Sequence, residues 1–133
     1  MTIVYNYNRQ IYPPAPLMSV IVSSPGDPEL YVSTLALMDY GADFSFITEE
    51  ILETLLPVCV GDAYVEGFMG AGETLRLYAV GIEFHGWRFS RVPVFVGAKN
   101  YIILGRDVLN KFDIRLNGID GKLEILRGPQ SSI

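Results

Sequence analysis

The sequence predicts an all-β barrel or sandwich that carries two short helices. Three observations lead there. β-Branched and aromatic residues recur in short runs along most of the chain, turn-forming residues separate the runs, and only two segments show helical spacing. The 133 residues are half hydrophobic and 19% charged. That is enough apolar surface to order one domain over 1–133, and it excludes a disordered chain.

The strand-like runs, in order, are Ser19–Val22, Tyr31–Met38, Tyr64–Phe68, Leu75–Phe84, Trp87–Val96, Tyr101–Leu104, Asp113–Leu116 and Lys122–Leu126. Turns are expected at Pro25-Gly26-Asp27, Gly61-Asp62, His85-Gly86, 97–100 and 117–121, where the residues tolerate or impose turn dihedrals. The proline-bearing stretch Tyr12–Pro16 reads as an extended edge or arm. Ile3-Val4-Tyr5 and Leu123–Leu126 read as terminal strands open to pairing with another chain. Thr48 is a good helix N-cap, followed by Glu49 and Glu50 in the first turn. Ile51, Leu52, Leu55 and Leu56 then form an apolar stripe that Pro57 ends. The second helix spans Arg106–Phe112, with Val108, Leu109 and Phe112 on its buried face.

Composition narrows the function. Ten Lys+Arg against 15 Asp+Glu give a net charge of -5 with no basic run, so neither nucleic acid nor an anionic membrane is expected as a partner. The chain shows no apolar stretch long enough to span a bilayer and no signal-peptide pattern, which predicts a cytoplasmic location. The single cysteine, Cys59, excludes an intrachain disulfide. It sits in the apolar run Val58-Cys59-Val60 and reads as buried and inert. The single histidine, His85, reads as a hairpin turn residue.

Two stretches carry chemistry. In Leu35–Ile47 an apolar strand runs into Asp39, followed by Gly41 and Ala42. A carboxylate at the end of such a strand is partly desolvated, which suits proton transfer, and the glycine lets another backbone come close. In Asn100–Ile114 a second apolar strand meets Gly105 and then Arg106. Leu37-Met-Asp-Tyr-Gly-Ala-Asp43 followed by Ile103-Leu-Gly-Arg-Asp-Val-Leu109, with the glycine-bearing hairpin Glu66–Glu73 between them, resembles the retropepsin-like aspartic protease family over Ser19–Leu126.

The resemblance implies an acid-protease barrel, the protomer of a two-fold dimer, hydrolysing peptide bonds with water and no metal or cofactor. It implies that Asp39 is catalytic and that Gly41, Ala42 and Asp43 meet the substrate backbone. Arg106 would pair with Asp43, in a largely buried pair, and Gly105 would let its strand pass under the catalytic loop. Gly67, Phe68, Met69, Gly70, Ala71 and Gly72 would form a flap tip. Ile82, Val94, Val96 and Ile102 are candidates for lining side-chain pockets. Acid–base work of this kind needs two carboxylates sharing a proton, and the chain has one Asp-x-Gly-Ala motif, so a homodimer is expected.

The chain departs from the family at Tyr40, where the family has Thr or Ser bonding across to the partner. A phenol there adds bulk beside the two-fold axis. This predicts a weak peptidase, or in the alternative an inactive peptide-binding or dimerisation module, and it predicts that Tyr40→Thr tightens the dimer and raises activity.

Overall fold

A computed structural model describes residues 2–67 and 69–130. The chain folds into a seven-stranded sheet that curls on itself, a three-stranded sheet and two short helices. The three-stranded sheet contains β1 (Ile3–Asn6), β9 (Asp113–Asn117) and β10 (Lys122–Arg127) in the order β1-β10-β9. The larger sheet contains β2 (Leu17–Ser24), β3 (Asp27–Met38), β4 (Ser45–Ile47), β5 (Cys59–Glu66), β6 (Gly72–Phe84), β7 (Trp87–Val96) and β8 (Ile102–Leu104). Its order is β2-β3-β8-β4-β7-β6-β5, and β2 also pairs with β6, which closes the barrel.

Two parallel pairings decide where the motifs lie. β3 runs parallel to β8, with Met38 beside Leu104, and β4 runs parallel to β7 while pairing antiparallel with β8 at Phe46 and Ile103. Both apolar strands of the sequence motifs therefore end side by side. Met18, Val20, Val22, Ala36, Met38, Val80, Ile82, Val94, Ile102 and Leu104 fill the barrel core behind them. Ile82, Val94 and Ile102 are fully buried there and pack the core.

The predicted β7 has the observed bounds. The His85-Gly86 turn joins β6 to β7 with both residues at positive φ, 50° and 83°, the conformation a two-residue hairpin favours. Helix α1 (Glu49–Leu55) starts where the sequence places it. The Thr48 Oγ1 accepts a hydrogen bond from the Ile51 N–H, and Ile51 and Leu55 are buried. Leu56 is not part of the stripe: it is the left-handed C-cap at φ 46° and points to solvent. Helix α2 (Arg106–Leu109) is shorter than expected, because the carbonyls of Val108 and Leu109 bond the Lys111 and Phe112 N–H groups in tighter turns. Among the described residues no helix is long and apolar enough to cross a membrane.

Two further expectations are corrected. Gly61-Asp62 is not a turn: both residues lie inside β5, where a bulge between Cys59 and Gly61 absorbs one residue. Cys59 is exposed, since β5 is the outermost strand of its sheet and one end of the run faces solvent together with Val58 and Val60.

The terminal strands pair with each other inside the chain. Ile3 lies opposite Ile125, and Ile125 lies opposite Ile114. β10 is thus the middle strand, with Leu123 and Ile125 fully buried, and the outer edges belong to β1 and β9. Tyr5 packs on the core and bonds the His85 ring through its hydroxyl, which ties β1 to the β6–β7 turn. Tyr12 stands in solvent on the proline-bearing arm.

Candidate active site

Asp39 is the first residue after β3, and it is held at both ends of its own peptide unit. Its N–H donates to the Leu104 carbonyl of β8 at 3.0 Å, and its carbonyl accepts from the Ala42 N–H at 3.2 Å. The side chain is half-buried, and its Oδ1 accepts from the Gly41 N–H at 2.9 Å. A Cβ on Gly41 would lie 3.1 Å from that same oxygen, so the glycine admits the carboxylate that its own amide orients.

The second motif crosses directly behind this loop. A Cβ on Gly105 would meet the Phe44 carbonyl oxygen at 2.4 Å and the Ala42 carbonyl oxygen at 2.8 Å, so only glycine lets the two backbones pass. The Arg106 N–H bonds the Ala42 carbonyl at 2.9 Å. The Arg106 guanidinium then reaches forward to two places on the loop. Nη1 donates to the Tyr40 carbonyl at 2.6 Å, and Nη2 pairs with the Asp43 carboxylate. The structure therefore brings Asp39, Gly41, Ala42, Asp43, Gly105 and Arg106 together, as the sequence reading expects.

The ion pair is not buried, however. The Arg106 and Asp43 side chains are 42% and 69% exposed in this single chain. An exposed pair contributes only about 0–1 kcal/mol, against roughly 1.5–3 for a charged donor on a carbonyl. Arg106→Ala is therefore expected to cost about 1–3 kcal/mol, mostly through the Tyr40 carbonyl. Asp43→Asn, which spares that bond, is expected to cost less than about 1 kcal/mol. Urea denaturation of the two variants side by side checks the order.

Sequence reasoning missed a bond that anchors the crossing from below. The Gly105 N–H donates to Ser45 Oγ at 3.1 Å, and the Ser45 hydroxyl donates to Asp107 Oδ1 at 2.8 Å. Ser45 has no exposed surface, and Asp107 Oδ2 is buried without a partner. Both residues stand in the two motif stretches, but nothing in one sequence links positions 62 residues apart. Burial pushes the Asp107 carboxyl above its usual range, and the hydrogen bonds from Ser45 and the Val108 N–H oppose the rise. A carboxyl raised in the fold binds its proton more tightly there than in the unfolded chain. Ionising it therefore destabilises the fold as pH rises from the ordinary value of 3.8 through the higher folded value, and the penalty is absent below both. Asp107→Asn, which can still accept the Ser45 hydroxyl, is expected to melt higher than the parent at neutral pH. The gap should close near pH 3.8 in melts followed by circular dichroism.

The glycine-bearing hairpin joins β5 to β6. The Gly67 N–H bonds the Ala71 carbonyl at 2.8 Å, the Gly70 N–H bonds the Gly67 carbonyl at 3.0 Å, and Gly70 takes φ 80°. Met69 stands in solvent, and Phe68 lies outside the described residues. Val65, Gly67, Ala71, Gly72 and Leu75 line a hollow along this tip. The cleft between β2, β3, β6 and β7 is a different feature: Ser23, Tyr31, Glu83 and Arg88 line it, with none of the motif residues.

The family profile of the retroviral aspartyl proteases matches residues 13–117, most of the chain. The chain belongs to that family. Among solved structures, this retropepsin-like chain is similar to a retropepsin-like aspartic protease from Rickettsia conorii, at 16% identity and a TM-score of 0.63, over 94% of this chain and 90% of that one. It is also similar to the EIAV protease solved with the inhibitor HBY-793, at 23% identity and a TM-score of 0.57, over 74% and 88% of the two chains. At these identities the likeness is one of fold. No curated protein matches the chain. The family and the fold together make the chain a member of the aspartic peptidases.

Proposed function

We propose that the chain is an aspartic endopeptidase that works as a homodimer, with Asp39 of each protomer forming the catalytic pair. The observation that carries this reading is the Asp39 loop. It offers one half-buried carboxylate, aimed by the Gly41 N–H, while the neighbouring Asp43 is engaged by Arg106. One carboxylate cannot both activate a water and protonate a leaving amine. Two at close range can, because repulsion leaves them sharing one proton, as in the well-known aspartic-protease dyad. A second copy of the loop related by a two-fold axis supplies the second carboxylate.

In this reading one carboxylate takes a proton from water as the water attacks the scissile carbonyl, and the other donates its proton toward the departing nitrogen. The extended peptide lies along the loop backbone as an added strand, and the 67–72 hairpin closes over it. Gly41, Ala42 and Asp43 face the peptide backbone, and Gly105 and Arg106 hold the loop. The location in the cytoplasm expected from the sequence belongs to this same reading.

The three-stranded sheet suggests where the copies meet. Among the described strands β9 pairs only with β10, and its first residue, Asp113, adds to the rise that burial gives the Tyr40 phenol's pKa. Of the two edges of this sheet, β1 and β9, we take the β9 edge as the one that meets the second copy. Two β9 strands paired antiparallel about Ile114 would set Asp113 of each chain opposite Arg115 of the other, which is favourable twice over. Asp113→Arg is then expected to weaken the dimer at least about tenfold, read by sedimentation, and Arg127→Ala, which removes the in-chain partner of Asp113 but not the proposed cross-chain one, to weaken it less than about threefold. The function itself is tested by cleavage of an unfolded protein at about pH 4–6, where a pair with split pKa values holds one proton. The rate per chain should fall steeply on dilution below the dimer dissociation constant. Cleavage by a species that sedimentation shows to be monomeric would overturn the reading.

A further inference from the structure

We propose that Tyr40 is a positioning residue that fixes the Asp39 loop from within its own protomer, before a second chain arrives. The proposal rests on the reading of Asp39 as the catalytic carboxylate. It runs opposite to the role expected from the sequence, in which the phenol is surplus bulk at the axis.

The ring does not stand free at the end of the loop. It is half-buried and packs against the core cluster behind the loop. Its backbone is gripped as well, since the Tyr40 carbonyl accepts the 2.6 Å bond from Arg106 Nη1. Tyr40, the middle residue between Asp39 and Gly41, is therefore held at two points, ring and carbonyl. On that segment the Gly41 N–H aims Asp39 Oδ1, and the Ala42 N–H closes the turn onto the Asp39 carbonyl. A small hydroxyl at position 40 could serve the loop only by reaching another group, whereas a phenol can anchor it by filling space in its own core. Removing the ring takes away the side-chain anchor and leaves the segment to the Arg106 bond and to its backbone bonds with Leu104 and Ala42.

The consequence is preorganisation. A loop already set in the protomer presents Asp39 in one orientation at the moment two copies meet, so Tyr40 acts on the geometry of the pair through Gly41.

The test uses the full chain with Tyr40→Phe, which keeps the ring, and Tyr40→Thr, which removes it. The first readout is amide hydrogen exchange at Gly41 and Ala42, compared with Val80 and Val94 in the core. Tyr40→Thr is expected to speed exchange at Gly41 and Ala42 at least about tenfold more than at the core amides, and Tyr40→Phe to change it less than about threefold. The second readout is kinetic: Tyr40→Thr should lower kcat about tenfold or more with KM within about threefold, because a misplaced reacting group acts on the rate and less on binding. Should Tyr40→Thr fail to fold, Tyr40→Leu takes its place with the same expectation in reduced degree. Unchanged protection at Gly41 without the ring, or a tighter dimer with higher kcat in Tyr40→Thr, overturns the proposal. Loss of protection in Tyr40→Phe also overturns it, because the phenol hydroxyl rather than ring packing would then hold the loop. If the parent itself cleaves no peptide, the catalytic reading of Asp39 fails, and the exchange measurement still decides whether Tyr40 braces the loop.

Discussion

Asp39→Asn is expected to abolish peptidase activity, by about 10²–10⁴-fold or to the limit of detection, while the chain stays folded. The substitution is nearly isosteric. The side-chain oxygen that accepts from the Gly41 N–H remains an acceptor in the amide, so the loop keeps its 2.9 Å bond. Asp39 makes no salt bridge with another side chain among the described residues, so no charge is stranded when its carboxylate is neutralised. The amide, however, can neither take a proton from water nor share one with a second carboxylate at mildly acid pH. Fold and chemistry should therefore separate cleanly. The melting curve and the sedimentation profile should stay close to those of the parent, and cleavage of an unfolded protein should vanish. A folded Asp39→Asn chain that still cleaves would remove Asp39 from the mechanism and leave the family fold without its proposed site.

Much of this site can be read from sequence because it is built from local rules. Thr48, the two glutamates and Ile51 to Leu55 specify α1 through capping, dipole and spacing, all within a few residues. His85-Gly86 sets its hairpin by dihedral preference alone. Asp39-x-Gly41 and Gly105-Arg106 each announce a strand that ends in a tight crossing, and the backbone contact at Gly105 is the physical reason for that glycine.

What escaped the sequence reading is what depends on neighbours distant in the chain. β4 is three residues long and exists because β7 and β8 flank it, not because Ser45-Phe46-Ile47 is a strong strand former. Cys59 looks buried in the run Val58–Val60, but burial is decided by whether another strand covers β5, and none of the described strands does. The motif resemblance implies the Arg106–Asp43 pair, yet its exposure depends on what lies in front of the loop, which the two motifs do not specify. Tyr40 shows the same limit. Its bulk is evident from the sequence, but its packing against the core cluster depends on strands distant in the chain.

Deleting Lys122–Ile133 should unfold the chain, not merely separate two copies of it. On a reading in which the terminal strands serve only the partner, the deletion yields a folded monomer. The observed pairing argues against that outcome, because β10 is the centre of its sheet, with β1 on one side and β9 on the other. Removing it takes Leu123 and Ile125, both fully buried, out of the core, and leaves Ile3, Tyr5 and Ile114 without the strand they lie against. Truncating one such side chain to Ala typically costs about 2–5 kcal/mol, so losing two with their whole strand approaches the ~5–15 kcal/mol that holds a domain together. The deletion protein is therefore expected to lose its cooperative melt and its near-ultraviolet signal. Ile125→Ala alone should remain folded, destabilised by about 2–5 kcal/mol in urea. Trp87 offers a convenient probe, because its Nε1–H bonds the Pro129 carbonyl and its ring packs on Phe112 and Phe84. Its fluorescence should change when the tail is removed, even before global unfolding is considered. A deletion protein that melts cooperatively as a monomer would mean that β1 and β9 can close the core without β10, and that the terminal strands belong to the seam after all.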